Sequence, residues 1–305
     1  MAIWQSCPKP RASPWLRILT EVTQVTLATP GPNRPGLGFA RALVVLVTLL
    51  GFTLLPLTAR ADTVQDLPVA GSALVKQVLS ADTLLLADGR VVRLAGIQGP
   101  RPGHGRAHAW PLAAEAKAAL DRLVLGRTVT LRAAAFRQDR HDRWVAHLVR
   151  DDGLWLEGEL LGLGWARVYV ASDLKTLGPE MYAQERAARE AQRGLWANRF
   201  YAVRSPDGLE HDGDSFQVVE GRVLAVAMAR GQIFLDFGPD WRTDFTVFIP
   251  RRAAKPFRLA FGDPRQLQGQ MVRVRGWVFR HNGPEIELTV PEQLEKVEPA
   301  QAPPP

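Results

Sequence analysis

The segment from Arg90 to Arg106 carries four arginines and no acidic residue. These arginines are Arg90, Arg93, Arg101 and Arg106. A guanidinium can grip a phosphate through two parallel N–H bonds, and a cluster of uncompensated positive charge attracts polyanions. A run of like charge is, however, more commonly a solvated face. The residue types therefore leave two interpretations open, a phosphate-binding site and an ordinary basic surface.

A second set of residues bears on metal binding. Asp82 lies in the sequence Ser-Ala-Asp-Thr, and Asp139 and Asp142 lie next to Arg140 and Arg143. Calcium takes about six to eight oxygen ligands, usually several of them carboxylates. We expect Asp139 and Asp142 to form local ion pairs.

The hydrophobic pattern predicts a mainly β fold with helices, of the α+β class. Strands are expected from Val75 up to a turn at Asp88-Gly89, after that turn through Arg93, and at Thr128–Ala133 and Trp144–Val149. Helices are expected between Pro111 and Gly126, at Leu154–Leu163 and at Pro179–Leu195. A five-stranded barrel accompanied by helices is the plan of an OB-fold.

The C-terminal part of the chain predicts a second β-rich module at 215–297, after a polar linker at 202–214. The predicted strands are Phe216–Val226, Gln232–Phe237, Phe245–Ile249, Met271–Phe279 and Glu285–Val290. Five strands in this length indicate a small OB-like β-barrel, and residues 298–305 are expected to be a disordered tail. Trp241 and Trp277 could form a stacking surface for single strands, but core packing is the preferred interpretation.

Four motifs within residues 72–201 resemble the staphylococcal-nuclease-like (thermonuclease) family. The family patterns are D-G-D-T, R-L-x-x-V/I-D-x-P-E, D-x-Y-G-R and a helix ending in G-x-A-x-V. This chain has SADT, RLAGIQGPR, DRHDR and GWARV in their places. The resemblance implies an OB-fold-like, nuclease-type barrel with three helices. It also implies carboxylates that hold Ca²⁺, a glutamate near the attacking water, and two arginines that clamp the phosphate.

The site positions are only partly retained. By this resemblance Arg93 and Arg143 are the phosphate clamp, and Asp82 is the remaining metal carboxylate. Ser80 replaces the first aspartate, Gln98 the aspartate before the proline, and Arg101 the glutamate. With these acids replaced, the resemblance implies that Asp82 orients an arginine or binds a metal weakly. No cofactor is therefore expected, with weak Ca²⁺ binding at Asp82 as the alternative. A guanidinium cannot accept a proton at any accessible pH. Arg101 is therefore expected to join Arg93 and Arg143 in binding phosphate or nucleic acid.

The function expected from these residues is that of a thermonuclease-like protein whose Ca²⁺-dependent phosphodiesterase activity is lost or weakened. Its expected partner is single-stranded nucleic acid or another polyanion. Two alternatives remain, an active nuclease with an altered metal site and a periplasmic scaffold or interaction protein. The sequence leaves the oligomeric state open.

The first 61 residues predict a leader. The apolar run 42–58 is followed by Ala59-Arg60-Ala61, an A-x-A cleavage pattern, and the only cysteine is Cys7. Six basic residues and one acidic residue fall in this segment, so the net charge of +7 becomes +2 after it. We expect an exported, periplasmic protein without stable membrane association after cleavage. The alternative is a protein anchored by residues 42–58.

Overall fold

The computed structural model describes residues 63–297, apart from residues 104, 106, 107 and 171–176. The predicted leader at 1–61 and the predicted tail at 298–305 lie outside the described residues. The described residues belong to a single compact unit. Within them, no helix combines the length and the apolar character needed to cross a membrane.

The N-terminal half contains seven strands. They are β1 (Val69–Ser80), β2 (Thr83–Leu86), β3 (Val91–Leu94), β4 (Ile97–Gln98), β5 (Thr128–Gln138), β6 (Trp144–Arg150) and β7 (Arg167–Val168). Strands β1, β2, β3, β6 and β5 close a barrel in that order, in which only β3 and β6 run parallel. The short strands β4 and β7 pair outside the barrel. The predicted α+β class and OB-fold-like barrel are confirmed.

Three helices accompany this barrel, as predicted: α1 (Ala113–Val124), α2 (Leu156–Gly162) and α3 (Gly178–Glu190). In α1, Ala116, Leu120 and Val124 recur at every fourth position and are all buried. This spacing places them on one face of the helix, where Leu120 and Val124 join the barrel core. The helix is followed by Gly126, whose positive φ of 73° an L-residue rarely adopts.

The turn that carries Asp82 was not predicted. The sequence indicated one strand up to Asp88-Gly89, but the structure ends β1 at Ser80 and begins β2 at Thr83. The hydroxyls of Ser80 and Thr83 both donate to the Asp82 carboxylate. Such local side-chain bonds compete with the strand ladder and favour a turn. Asp82 therefore lies at a hairpin turn and not within a strand.

The C-terminal half contains seven more strands and one helix. They are β8 (Phe216–Arg222), β9 (Ala225–Ala229), β10 (Gln232–Asp236), β11 (Thr246–Ile249), α4 (Arg251–Phe261), β12 (Met271–Arg280), β13 (Pro284–Glu287) and β14 (Leu294–Lys296). Pairing runs β9–β10–β11–β13–β12–β8, and only β11 and β13 are parallel. At the junction of β8 and β9, the Val223 amide donates to Gln270 and the Leu224 amide to Asp236. If β8 and β9, which only two residues separate, are counted as one bent strand, the pairing order is the same as that of the first barrel, so we call this sheet the second barrel.

Two predictions for the second barrel were wrong. Helix α4 was not predicted, because Pro256 lies inside it and only a narrow face, with Ala253, Ala254 and Phe257, is buried. Trp241 was expected in the core but is 51% exposed, since it lies in the loop between β10 and β11. Trp277 is partly buried.

Buried side chains join the two barrels. Arg275 on β12 donates to Glu185 on α3 at 2.7 Å, and each side chain is only 1% exposed. Trp277 on β12 packs against Trp110, which precedes α1, with ring centroids 6.0 Å apart. The second barrel therefore contacts the side of the first barrel from which Arg101 projects.

Candidate phosphate-binding site

The Asp82 carboxylate is surrounded by hydrogen-bond donors from the protein. Its Oδ1 accepts from the Ser80 hydroxyl at 2.9 Å and from the Thr83 hydroxyl at 3.0 Å. Its Oδ2 accepts from the Gly99 amide at 3.2 Å. The residue is only 8% exposed, so its charge depends on these partners for stabilisation. The bond from Gly99 thus fixes Asp82 to the loop that follows β4.

Arg93 extends from β3 toward this carboxylate. Its register partner on β2 is Thr83, and its Nη2 lies 3.9 Å from Asp82 Oδ2. The same Nη2 donates to the Ile97 carbonyl and to Gln98 Oε1, both at 3.3 Å. Among the described residues, Nε and Nη1 of Arg93 have no hydrogen-bond partner. Arg93 is therefore fixed through Nη2, while Nε and Nη1 stay available to a ligand.

Gln98 occupies a buried position on β4 and is 7% exposed. Its Nε2 donates to the Gly99 carbonyl at 2.9 Å, which orients its Oε1 toward Arg93. The amide oxygen at this position thus accepts from a cation of the protein. It supplies no negative charge to the centre.

Arg143 precedes β6 and is held by Asp139. Its Nε and Nη2 donate to Asp139 Oδ2 at 2.9 and 2.6 Å, and its Nη1 lies 3.5 Å from the Thr83 hydroxyl. Burial alone would raise the pKa of Asp139, but hydrogen bonds from Arg143 and from the His141 amide lower it below its ordinary value. Asp142 has a φ of 57°, a left-handed conformation, in the turn that presents Arg143.

Arg101 follows Pro100 and is exposed. Its guanidinium carbon lies 4.0 Å from the ring centroid of Trp277 and 5.5 Å from that of Trp110. Partial burial is the main effect that lowers the pKa of Arg101, followed by the charge of Arg140. The charge of Asp82 raises this pKa, and the charge of Arg93 lowers it. The charges of Asp82 and Arg93 are thus close enough to Arg101 to shift its pKa. Within the described part of the chain its guanidinium makes no hydrogen bond or ion pair.

The residues at this centre do not fit a calcium ion. Among the described residues, Asp82 is the single carboxylate paired with Arg93, and Asp139 is engaged with Arg143. No group of three or more His, Cys, Asp or Glu side chains that could hold a metal occurs among the described residues. A hard cation requires several anionic or neutral oxygens free to turn toward it. The arrangement instead offers guanidinium groups to an anion.

Sequence reasoning missed several residues of this centre. Gly99 approaches the hairpin so closely that an added Cβ would lie 2.7 Å from the Cβ of Ala81. Tyr169, directly after β7, lies with its ring 5.5 Å from the Arg93 guanidinium carbon. The glycine within the Gln98–Arg101 loop was a usable signal. No local signal could place Trp277 beside Arg101, because the contact joins distant parts of the chain.

Comparisons with known proteins identify the family that part of this chain resembles. Residues 91–198 match the family described as staphylococcal nuclease homologue. This part of the chain is a staphylococcal-nuclease-like domain. The match begins at β3, after Asp82, so the nuclease-like barrel extends beyond the matched residues on its N-terminal side.

Curated relatives of the nuclease-like domain carry the name "Probable endonuclease LCL3". The relative from Leptosphaeria maculans is 31% identical over 157 residues, covering 44% of this chain and 51% of the relative. Those from Schizophyllum commune and Podospora anserina are 32% and 35% identical, covering 43% and 35% of this chain and 47% and 41% of the relatives. The chain thus spans about half the length of the curated relatives it matches.

Proposed function

We propose that this protein binds the phosphodiester groups of nucleic acid at Arg93, Arg101 and Arg143, and that its phosphodiesterase activity is lost or weakened. The observation that carries the proposal is the state of Arg101. Arg101 is exposed in the nuclease-like site, and its guanidinium has no acceptor among the described residues. Within the same residues, Arg93 adds two further donor atoms without a partner. A phosphate oxygen is the ligand that such forked donors fit best.

The same positions argue against efficient hydrolysis. General base catalysis requires a group that can take a proton from water near neutral pH. Arg101 cannot do so, and Asp82 already accepts three hydrogen bonds from Ser80, Thr83 and Gly99. Binding a phosphodiester equally well before and during reaction does not accelerate its cleavage.

An active nuclease with an altered site is the second candidate. It is favoured by the name "Probable endonuclease LCL3" that the relatives carry and by Asp139, a partly buried carboxylate beside Arg143. If Asp139 exchanged Arg143 for a cation, it would provide an anionic ligand that Ser80 and Gln98 do not. The two candidates differ in whether cleavage occurs and whether it needs a divalent ion.

Binding and cleavage should be measured together on the same labelled single-stranded DNA and RNA. Fluorescence anisotropy reports binding across a salt series, and gel electrophoresis reports cleavage with Ca²⁺, Mg²⁺, Mn²⁺ or EDTA. The proposal predicts binding that weakens with salt, persists in EDTA and is accompanied by little or no cleavage. Cleavage abolished by EDTA would establish the active-nuclease candidate instead. Neither binding nor cleavage would leave the fold as a scaffold for another interaction.

A further inference from the structure

A residue of the second barrel reaches the site of the first. Trp277 lies on β12, and the guanidinium carbon of Arg101 is 4.0 Å from its ring centroid. The first barrel supplies a second ring, Trp110, at 5.5 Å. Arg101 therefore rests on an aromatic surface to which both barrels contribute.

Among the residues that the structure describes, no carboxylate pairs with Arg101. Partial burial lowers its pKa, and the charges of Arg140 and Arg93 lower it further, while that of Asp82 raises it. A guanidinium over an indole face is attracted by the ring, and this attraction engages no hydrogen-bond acceptor. Among the described residues, the N–H groups of Arg101 therefore remain without an acceptor. Stacking thus orients Arg101 and leaves its donors for a ligand.

The aromatic surface is itself held in place. The Trp110 amide donates to the Arg101 carbonyl at 2.9 Å, which ties together the two ends of the intervening loop. Trp277 pairs in register with Phe216 on β8, and their ring centroids are 6.0 Å apart. Two residues before Trp277, Arg275 forms the buried ion pair with Glu185 of the first barrel. The second barrel is therefore anchored where it meets the site.

We propose that Trp277 is a positioning residue of the phosphate-binding site, so that the second barrel is a working part of that site. This inference rests on the proposed function. The ligand class is a phosphodiester of single-stranded nucleic acid, and the role of Trp277 is to hold the Arg101 guanidinium toward it. Trp277 acts through Arg101 and need not touch the ligand.

The test compares Trp277→Leu, Trp277→Phe and Arg101→Met in the full chain, with Trp241→Leu as the matched control. Trp241 belongs to the same barrel but lies exposed in the loop between β10 and β11. Binding to labelled single-stranded DNA is measured across a salt series in EDTA. We expect Trp277→Leu and Arg101→Met each to weaken binding several-fold and to reduce the salt slope by about 0.7, one phosphate contact. Trp277→Phe should restore most of the affinity, Trp241→Leu should change nothing, and the Trp277→Leu/Arg101→Met double variant should bind no worse than either single variant.

Each result has a distinct meaning. If Arg101→Met weakens binding but Trp277→Leu does not, the role of Trp277 is refuted while the phosphate site stands. If the unaltered chain does not bind, both proposals fail together. Thermal unfolding checks that the variants fold. Should Trp277→Leu unfold, Arg101→Lys tests the same contact, because it keeps the charge but loses the planar stack; undiminished binding by that variant would overturn the inference.

Discussion

The guanidinium of Arg93 lies 3.9 Å from the carboxylate of Asp82, so the negative charge of Asp82 is compensated by the protein itself. Two charges at such a distance near a surface interact with an energy of about 4 kcal/mol before other groups and solvent exposure are considered. The pair therefore decides how much of the charge of Arg93 is available to an anion.

We expect Asp82→Asn to strengthen polyanion binding several-fold in EDTA, because it removes the negative charge that competes with phosphate for Arg93. The variant should also be less stable, since an amide cannot accept all three hydrogen bonds that the carboxylate accepts. Anisotropy titration and thermal unfolding measure the two effects. Weaker binding in the variant would show that Asp82 holds a required cation or orients Arg93 productively.

Placing acidic residues at the three positions where this chain has Ser80, Gln98 and Arg101 should create a calcium site. The variant Ser80→Asp/Gln98→Asp/Arg101→Glu places three carboxylates around Asp82, the charge that Ca²⁺ favours. We expect Ca²⁺ to raise the Tm of this variant, as ligand binding to the folded state requires, and to leave that of the unaltered chain unchanged. Mg²⁺ at equal concentration is the control for ionic strength. A comparable Ca²⁺ shift in the unaltered chain would contradict the metal-poor centre described above.

Much of the first barrel follows from its sequence. Period-two hydrophobic residues and the Asp88-Gly89 turn predict the strands, and the spacing of Leu120 and Val124 predicts a helix. The turn at Asp82 could not be predicted in this way, because it depends on hydroxyl-to-carboxylate bonds and not on hydrophobic period. The family motifs, and not the hydrophobic pattern, predicted that Arg93, Arg101 and Asp82 lie at one centre.

The contacts between the barrels could not be derived from the sequence. Arg275 is an arginine in a strand, where solvent exposure is the ordinary expectation, yet it is 1% exposed because Glu185 from the other barrel pairs with it. Trp277 is a large aromatic residue of the kind usually found in a core, but it lies where the two barrels meet. Sequence patterns report which face of an element is buried, and they do not report which distant element buries it.

Gly99→Ala should destabilise the protein by about 1–3 kcal/mol, the usual cost of overpacking. The added Cβ would lie 2.7 Å from the Cβ of Ala81 and 3.1 Å from its carbonyl carbon, which pushes the Gly99 amide away from Asp82. The double variant Ala81→Gly/Gly99→Ala removes the closer contact and should recover part of the loss. Urea unfolding measures both. Equal stability of Gly99→Ala and the unaltered chain would mean that the loop is not fixed against the hairpin.

The Asp139–Arg143 pair predicts a specific pH dependence. Burial is the largest single effect on Asp139 and raises its pKa, but the hydrogen bonds from Arg143 and from the His141 amide together outweigh it, so the folded pKa lies below the ordinary value of 3.8. A lowered folded pKa contributes stability above the unfolded pKa, and this contribution is lost as pH falls through the folded value. The Tm difference between the unaltered chain and Asp139→Asn should therefore be largest near neutral pH and should shrink below about pH 4. Asp142→Asn is the control, because the Asp142 carboxylate accepts no hydrogen bond among the described residues. A Tm difference independent of pH would exclude this linkage.

The buried pair Arg275–Glu185 should be the strongest single link between the barrels. Glu185 Oε1 accepts from the Val168 amide at 2.7 Å and its Oε2 from Arg275, so Arg275→Met leaves a buried carboxylate with only part of its hydrogen bonds. Breaking one side of such a pair costs about 3–5 kcal/mol, measured as the free energy of unfolding in urea. The control is Arg252→Met, which breaks an ion pair to Glu287 in which Arg252 is 70% exposed and should cost less than about 1 kcal/mol. Replacing both partners, Arg275→Met/Glu185→Leu, should cost less than Arg275→Met alone, because the fully buried carboxylate is then removed together with its partner; Glu295, which also pairs with Arg275, is 19% exposed. Should the two single variants lose equal stability, the pair would behave as a surface contact, and the second barrel would need another means of holding Trp277 beside Arg101.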